Sequence, residues 1–309
     1  MRYSLLSRFG GAFWGAIVGN EVGFYVEECQ SKEILPDLRG WYPGRSGLAA
    51  PRLAPAGKQA IAWTKELIEQ RSSTLSEPLQ SLSAAERVIA TLPLTLFFHE
   101  SDRRLEKALS TAGLNLQEGG AEALVFGLTI AQLLREQVDR ETHLPQIIAY
   151  LKLVALPEAQ VAPELLQNLE RAQQLVQQRV ALPAAVTALT PAGGLPSQAA
   201  SALALYCLLQ SPTDLPIALL RAAHTGYAPS LLCPLVGALA GAASGMTGFP
   251  PTWVVPSFSA QAASVWGIGG TELTELVDQL FAVWSGVYLP SRQKYATTAI
   301  AAPGLIRPR

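Results

Sequence analysis

The stretch from Arg221 to Trp253, RAAHTGYAPSLLCPLVGALAGAASGMTGFPPTW, constrains this chain more than any other, because it joins a run of small residues to a complete lack of acidic ones. Gly237, Ala238, Ala240, Gly241, Ala242 and Gly245 leave one helix with little side-chain bulk. Such a helix suits a place where another element packs close against its backbone. No Asp, Glu, Lys or Arg occurs between Arg221 and Glu272. A charge-free run of that length raises the question of a membrane span. Pro229, Pro234, Pro250 and Pro251 interrupt it, however, and no window reaches the Leu/Ile/Val density of a ~20-residue span. The expectation is a buried core helix and no membrane span.

A second small-residue pattern lies near the start, in RFGGAFWGAIVGNEVG at 8–23, where Gly11, Gly15, Gly19 and Gly23 recur every four residues. That spacing keeps one helix face open to close approach. Elsewhere helical periodicity dominates. It predicts helices at 7–20, 56–71, 84–99, 102–113, 118–138, 145–154, 163–178, 182–188, 196–210, 214–223, 229–245 and 271–285. Ser101-Asp102 and Thr213-Asp214 supply start signals. Alternating strand patterns are nearly absent, so the fold class is all-α.

With 49% hydrophobic and 15% charged residues among 309, the chain can bury a large core. Its net charge of −1 gives no basic stripe for nucleic acid, and Arg103, Arg104 and Lys107 alternate with Asp102 and Glu106 as a solvated helix face would. Cys29, Cys207 and Cys233 are odd in number and far apart. They form neither a disulfide framework nor a Cys-x-x-Cys motif, and point to a reducing cytoplasm.

The run Gly237–Ala242 with Gly245, Pro250 and Trp253 resembles the metal-site helix of the ADP-ribosylglycohydrolase family, where Gly-Gly-Asp-Thr-Asp-Thr precedes Gly-Ala-Leu-Ala-Gly-Ala. By that alignment Gly226 and Tyr227 replace the paired glycines, and Ala228 and Ser230 stand where the aspartates would. The helix at 8–23 is similar to the family's opening Gly-rich helix, with Asn20 and Glu21 in place of Asp-Ala. The family's Thr-Asp-Asp-Thr motif falls on Pro55, Ala56, Gly57 and Lys58, and no carboxylate lies between Asp37 and Glu66. At 84–114, Arg87, Pro93 and Leu94 keep a further family pattern.

The resemblance covers about residues 8–255. It implies a compact multi-helix orthogonal bundle; composition favours a single domain, placed at 1–290, and the segment 291–309, with Pro303, Pro308, several basic residues and little periodicity, reads as a C-terminal tail. The resemblance also argues that MRYSLLSRFGGAFWGAIVGN, which mimics a signal peptide, is retained as the first core helix. In the family a pair of Mg²⁺ ions positions ribose hydroxyls and activates water. Here an alanine cannot ligate and a serine hydroxyl is a poor substitute for a carboxylate. No metal is therefore expected at Ala56, Gly57, Ala228 and Ser230, and no cofactor.

Other chemistry is sparse. Glu21 is the best placed of the acids Glu21, Glu27, Glu28 and Asp37 to rebuild a cation site. His224, just ahead of the lost aspartates, is a candidate base without an identified orienting partner. Asn20 and Tyr227 are candidate ligand contacts beside them. In WYPGRSG at 41–47, Trp41 and Tyr42 can stack on a base and Arg45 can meet a phosphate, though such residues also serve to pin a loop to the core. His99 with Glu100 and Asp102 straddles a helix boundary, where Asp102 reads as an N-terminal charge. Gly-Ile-Gly-Gly at 267–270 is a poor nucleotide fingerprint.

Three readings follow. The first is a pseudoenzyme that keeps the fold and binds a protein partner or an ADP-ribose-like ligand. The second is an ADP-ribosyl hydrolase, acting on an N- or O-glycosidic bond, with an altered or metal-free site. The third is a structural subunit of a larger assembly, using the charge-free region 222–271 as an apolar contact surface.

Overall fold

The computed structural model describes residues 3–34, 54–70, 82–114, 116–154, 161–190, 196–253 and 266–287. Among them are thirteen α-helices and no strand. Helix α1 (Leu5–Ser31) and helix α12 (Pro229–Ser244) form the central pair. A Cβ built on Gly11, Gly15, Gly19 or Gly23 would fall closer than 3.0 Å to the carbonyl oxygen of Gly241, Gly237, Cys233 or Pro229 respectively. One series rises as the other falls, so the two helices run antiparallel with their backbones in contact. The glycines of both small-residue patterns thus serve each other.

Every residue of α1 from Arg8 to Gly23 is buried. A helix buried around its whole circumference, with only Arg8, Asn20 and Glu21 charged or amide-bearing in that span, belongs in the middle of a core and not on its surface. The periodicity predicts an end at residue 20, but α1 continues to Ser31. Gly23 does not stop it because its open face is filled by Pro229 and Ser230 of α12. Ser4 caps the start by accepting from Ser7 N–H, and Ser7 Oγ in turn accepts from Met246 N–H just beyond α12.

Around this pair the remaining helices form two groups. Helix α6 (Ala121–Leu134), helix α10 (Pro196–Gln210) and helix α11 (Leu215–His224) pack on α12. Helix α2 (Ala54–Gln70) packs with α3 (Ala84–Ala90), α4 (Leu92–Phe98) and α13 (Gly270–Trp284), and α3 and α4 pack in turn on α6. Helix α5 (Asp102–Thr111) joins α4 to α6, while α8 (Pro163–Gln177) and α9 (Leu182–Leu189) cover the outer side of α10 and α7 (His143–Val154) packs between α6 and α8.

The predicted helix 84–99 is two helices, divided at Thr91. Pro93 lacks the N–H that would bond back to Ile89, so the first helix ends and a second starts in its place. The segment predicted as 118–138 opens with a π turn, Leu116–Gly120, and its α-helix stops at Leu134. Its terminal carbonyls are met by buried Arg8, which donates to Leu133 O at 2.8 Å and pairs with Glu136 at 2.8 Å. A helix end needs such partners because its last carbonyls have none within the helix.

Asp102 begins α5 and pairs with Arg135 at 2.6 Å, while Arg103, Arg104 and Lys107 are exposed, as the charge pattern indicates. Cys29, Cys207 and Cys233 are buried free thiols. Burial pushes Cys207 up to about 12, so it is an inert apolar side chain at neutral pH. No described helix is long and apolar enough to cross a membrane.

Candidate functional site

The C-terminal half of α1 runs beside the turn 225–230, which carries Tyr227 and the aligned positions Ala228 and Ser230. Asn20, Gly23, Glu27 and Gln30 recur at helical spacing and share one face of α1. Gly23 lies against Pro229 and Ser230, Glu27 Oε1 accepts from Ser230 Oγ at 2.5 Å, and Gln30 Nε2 donates to Gly226 O at 2.9 Å. Each successive turn of α1 is therefore tied to the turn that leads into α12.

That turn carries unusual backbone. Gly226 has φ 65, and Ala228 follows with φ 37 and ψ 57, a left-handed conformation that costs an alanine about 1 kcal/mol. Ala228 is the N-cap of α12 yet offers no side-chain hydrogen bond, and the first turn of α12 contains no acid. A carboxylate reaches this helix start from α1 instead, where Glu27 accepts from Ser230. An anion near a helix N-terminus is stabilised by the unpaired N–H groups and their dipoles.

Asn20 is 1% exposed, and its Oδ1 is buried without a hydrogen-bond partner. Glu21 is buried as well. Tyr227 is half-buried against the core, and burial pushes its phenol upward from the ordinary value. His224 is the last residue of α11 and exposed, with Nδ1 2.7 Å from Leu220 O of its own helix. Its ring is thus turned back along α11. Trp41, Tyr42 and Arg45 lie outside the described residues, as does the tail 291–309.

The second set of aligned positions, 55–58, lies at the start of α2. Ala56 is fully buried, and a Cβ on Gly57 would fall closer than 3.0 Å to three atoms of the Trp266 indole. The first turn of α2 has no acidic residue, and exposed Lys58 passes Gly267, just before α13. Gly-Ile-Gly-Gly at 267–270 is the entry to α13, with Gly269 as its N-cap.

A Mg²⁺ ion takes a near-octahedral shell of oxygen ligands, usually with one or two carboxylates among them. The residues at the aligned positions do not supply one: two alanines, a glycine under an indole, and a serine whose hydroxyl is given to Glu27. Among the described residues no three His, Cys, Asp or Glu side chains are grouped to hold a metal. The side chains at these four positions do not fit a Mg²⁺ pair.

His99, His143 and Glu122 are further buried titratable groups. His99 lies in a ring cluster with Phe9 and Trp284, and desolvation lowers it to about 4. His143, placed between Gln132 Oε1 (2.8 Å) and Thr129 Oγ1 (3.2 Å), is lowered to about 4 by the same cause. Glu122 accepts from Ser197 Oγ at 3.2 Å and is raised by burial. None of these bonds involves the turn at 225–230. Sequence alone favours Glu21 among the acids and singles out neither Glu27 nor Trp266. The seven-residue step from Asn20 to Glu27 is the available signal for the first, and no local signal marks the second.

The family model of the ADP-ribosylglycohydrolases matches residues 80–290, more than half of the chain and inclusive of the turn at 225–230. Among solved structures, one chain of an ADP-ribosylglycohydrolase-related protein complex is similar at a TM-score of 0.55 and 15% identity, over 91% of this chain and 99% of that one. At that identity the likeness shows a shared all-α fold. No curated protein matches the sequence significantly. The chain belongs to the ADP-ribosylglycohydrolase family.

Proposed function

We propose that this protein keeps the ADP-ribosylglycohydrolase fold without its metal-dependent hydrolysis, and acts by binding a protein partner or an ADP-ribose-like ligand. The observation that carries this reading is the turn at 226–230. Where the resemblance places two metal-binding aspartates, Ala228 has no ligating atom and Ser230 already donates to Glu27. A protein partner is the favoured class, because the solved chain of the same fold belongs to a protein complex. Residues 1–290 act as one domain, with 291–309 as a tail, and three buried free thiols suit a reducing cytoplasm.

Calorimetric titration with ADP-ribose, once in excess Mg²⁺ and once in EDTA, tests the reading. Metal-independent binding identifies a nucleotide-like ligand, and no binding in either buffer leaves the protein partner. Binding that requires Mg²⁺ overturns the proposal and restores the hydrolase reading, in which Glu21 and His224 are the groups to substitute first.

A further inference from the structure

We propose that the indole of Trp266 closes the ground at the start of α2, so that packing as well as ligand identity bars this chain from a metal pair. The inference rests on the reading that Ala56 and Gly57 are the counterparts of the family's Thr-Asp-Asp-Thr carboxylates. Trp266 stands at the entry to α13, followed by Gly267 at φ 75, and α13 packs along α2. Its side chain is 1% exposed.

The contact is between a ring face and a helix backbone. A Cβ on Gly57 would fall closer than 3.0 Å to Cγ, Cδ1 and Cδ2 of the indole at once. Those atoms belong to the rigid five-membered ring, so no flexible end can swing aside to admit a side chain. An aspartate at 57 would need the whole ring displaced from a closely packed core, where even one added methylene is felt. Gly57 is required here by the approach of Trp266, and Trp266 seats fully only because position 57 is a glycine.

Three obstacles of different kinds therefore meet at one helix start. The first turn of α2 offers no carboxylate. The volume beside Gly57 belongs to an aromatic ring. The next residue is Lys58, whose stem passes Gly267, with Cγ and Cε each 3.8 Å from a Cβ built there. Its ammonium group opposes a cation by simple Coulomb repulsion. The Trp266 Nε1–H is itself buried without a partner, which costs stability. Burying the large apolar body of the ring opposes that cost.

A double-mutant cycle in urea tests the closure, with Gly57→Asp, Trp266→Ala and both together. In the wild-type background Gly57→Asp is expected to lower the unfolding midpoint sharply, and in the Trp266→Ala background to lower it less, with the desolvation of the carboxylate remaining and the clash removed. Equal losses in the two backgrounds overturn the proposal. If Trp266→Ala does not fold, Trp266→Leu replaces it, and Gly57→Ala alone must still lower the wild-type midpoint; an unchanged midpoint overturns the proposal. Mn²⁺ binding by the wild-type protein, read by electron paramagnetic resonance, separates the two ideas. Bound Mn²⁺ overturns both the metal-free reading and the barring of the site, and a coupled cycle then leaves only the ring contact standing. No bound Mn²⁺ with an additive cycle overturns the closure alone.

Discussion

Gly15 of α1 and Gly237 of α12 are reciprocal: a Cβ on either would fall closer than 3.0 Å to the carbonyl oxygen of the other. The two backbones cannot part at this point without loosening the antiparallel pair that the rest of the protein packs against. What would meet the added carbon is backbone on both sides, which has no rotamer through which to escape.

Gly15→Ala and Gly237→Ala are therefore expected to destabilise the protein by about 3 kcal/mol or more, the upper range for overpacking in a core. Urea unfolding followed by circular dichroism measures this. Gly113→Ala is not a suitable control despite its open surroundings, because its φ of 84 strains any side chain. Gly269→Ala is suitable, with extended backbone and nothing within 4 Å, and should change little.

Mild acid should weaken the fold through His99 and His143. Each is lowered to about 4 in the folded protein, from an ordinary value of 6.5. Between those limits the unfolded chain binds a proton that the folded chain refuses. Stability is then full above pH 6.5 and declines as pH falls toward 4, by roughly 1 kcal/mol per pH unit for each histidine. Urea midpoints at pH 7.5, 6 and 5 check this, and His143→Gln should halve the slope. Glu122 acts in the opposite sense. Burial raises its carboxyl, so its ionisation counts against the fold above the ordinary glutamate value. Glu122→Gln should raise the midpoint at pH 7.5 and leave it nearly unchanged at pH 4; a lower midpoint at pH 7.5 would count against this assignment.

Ala228 holds a left-handed backbone that glycine adopts freely. Ala228→Gly is expected to stabilise the protein by about 1 kcal/mol, where an alanine-to-glycine change ordinarily does the reverse. Ser230→Ala, which removes the donor to Glu27, should cost roughly 1–2 kcal/mol. Thermal unfolding of the two variants beside wild type distinguishes these signs.

The all-α class, most helix positions and the close approach of both glycine patterns are legible in the sequence, because periodicity and residue size act locally. The family resemblance is legible too, since Gly237–Ala242 and Gly11–Gly23 must stay small whatever happens at the site. The boundaries that differ, at Ser31, Thr91 and Leu134, do so where a neighbour fills a glycine face, a proline removes an N–H, or Arg8 meets the helix end. Tertiary structure alone decided that Glu27 reaches Ser230 across 203 residues, that Asn20 buries an unmatched oxygen, and that Trp266 lies on Gly57. A residue's type limits the bonds it can make, but its partner is set by which helix faces the packing of the whole chain brings together.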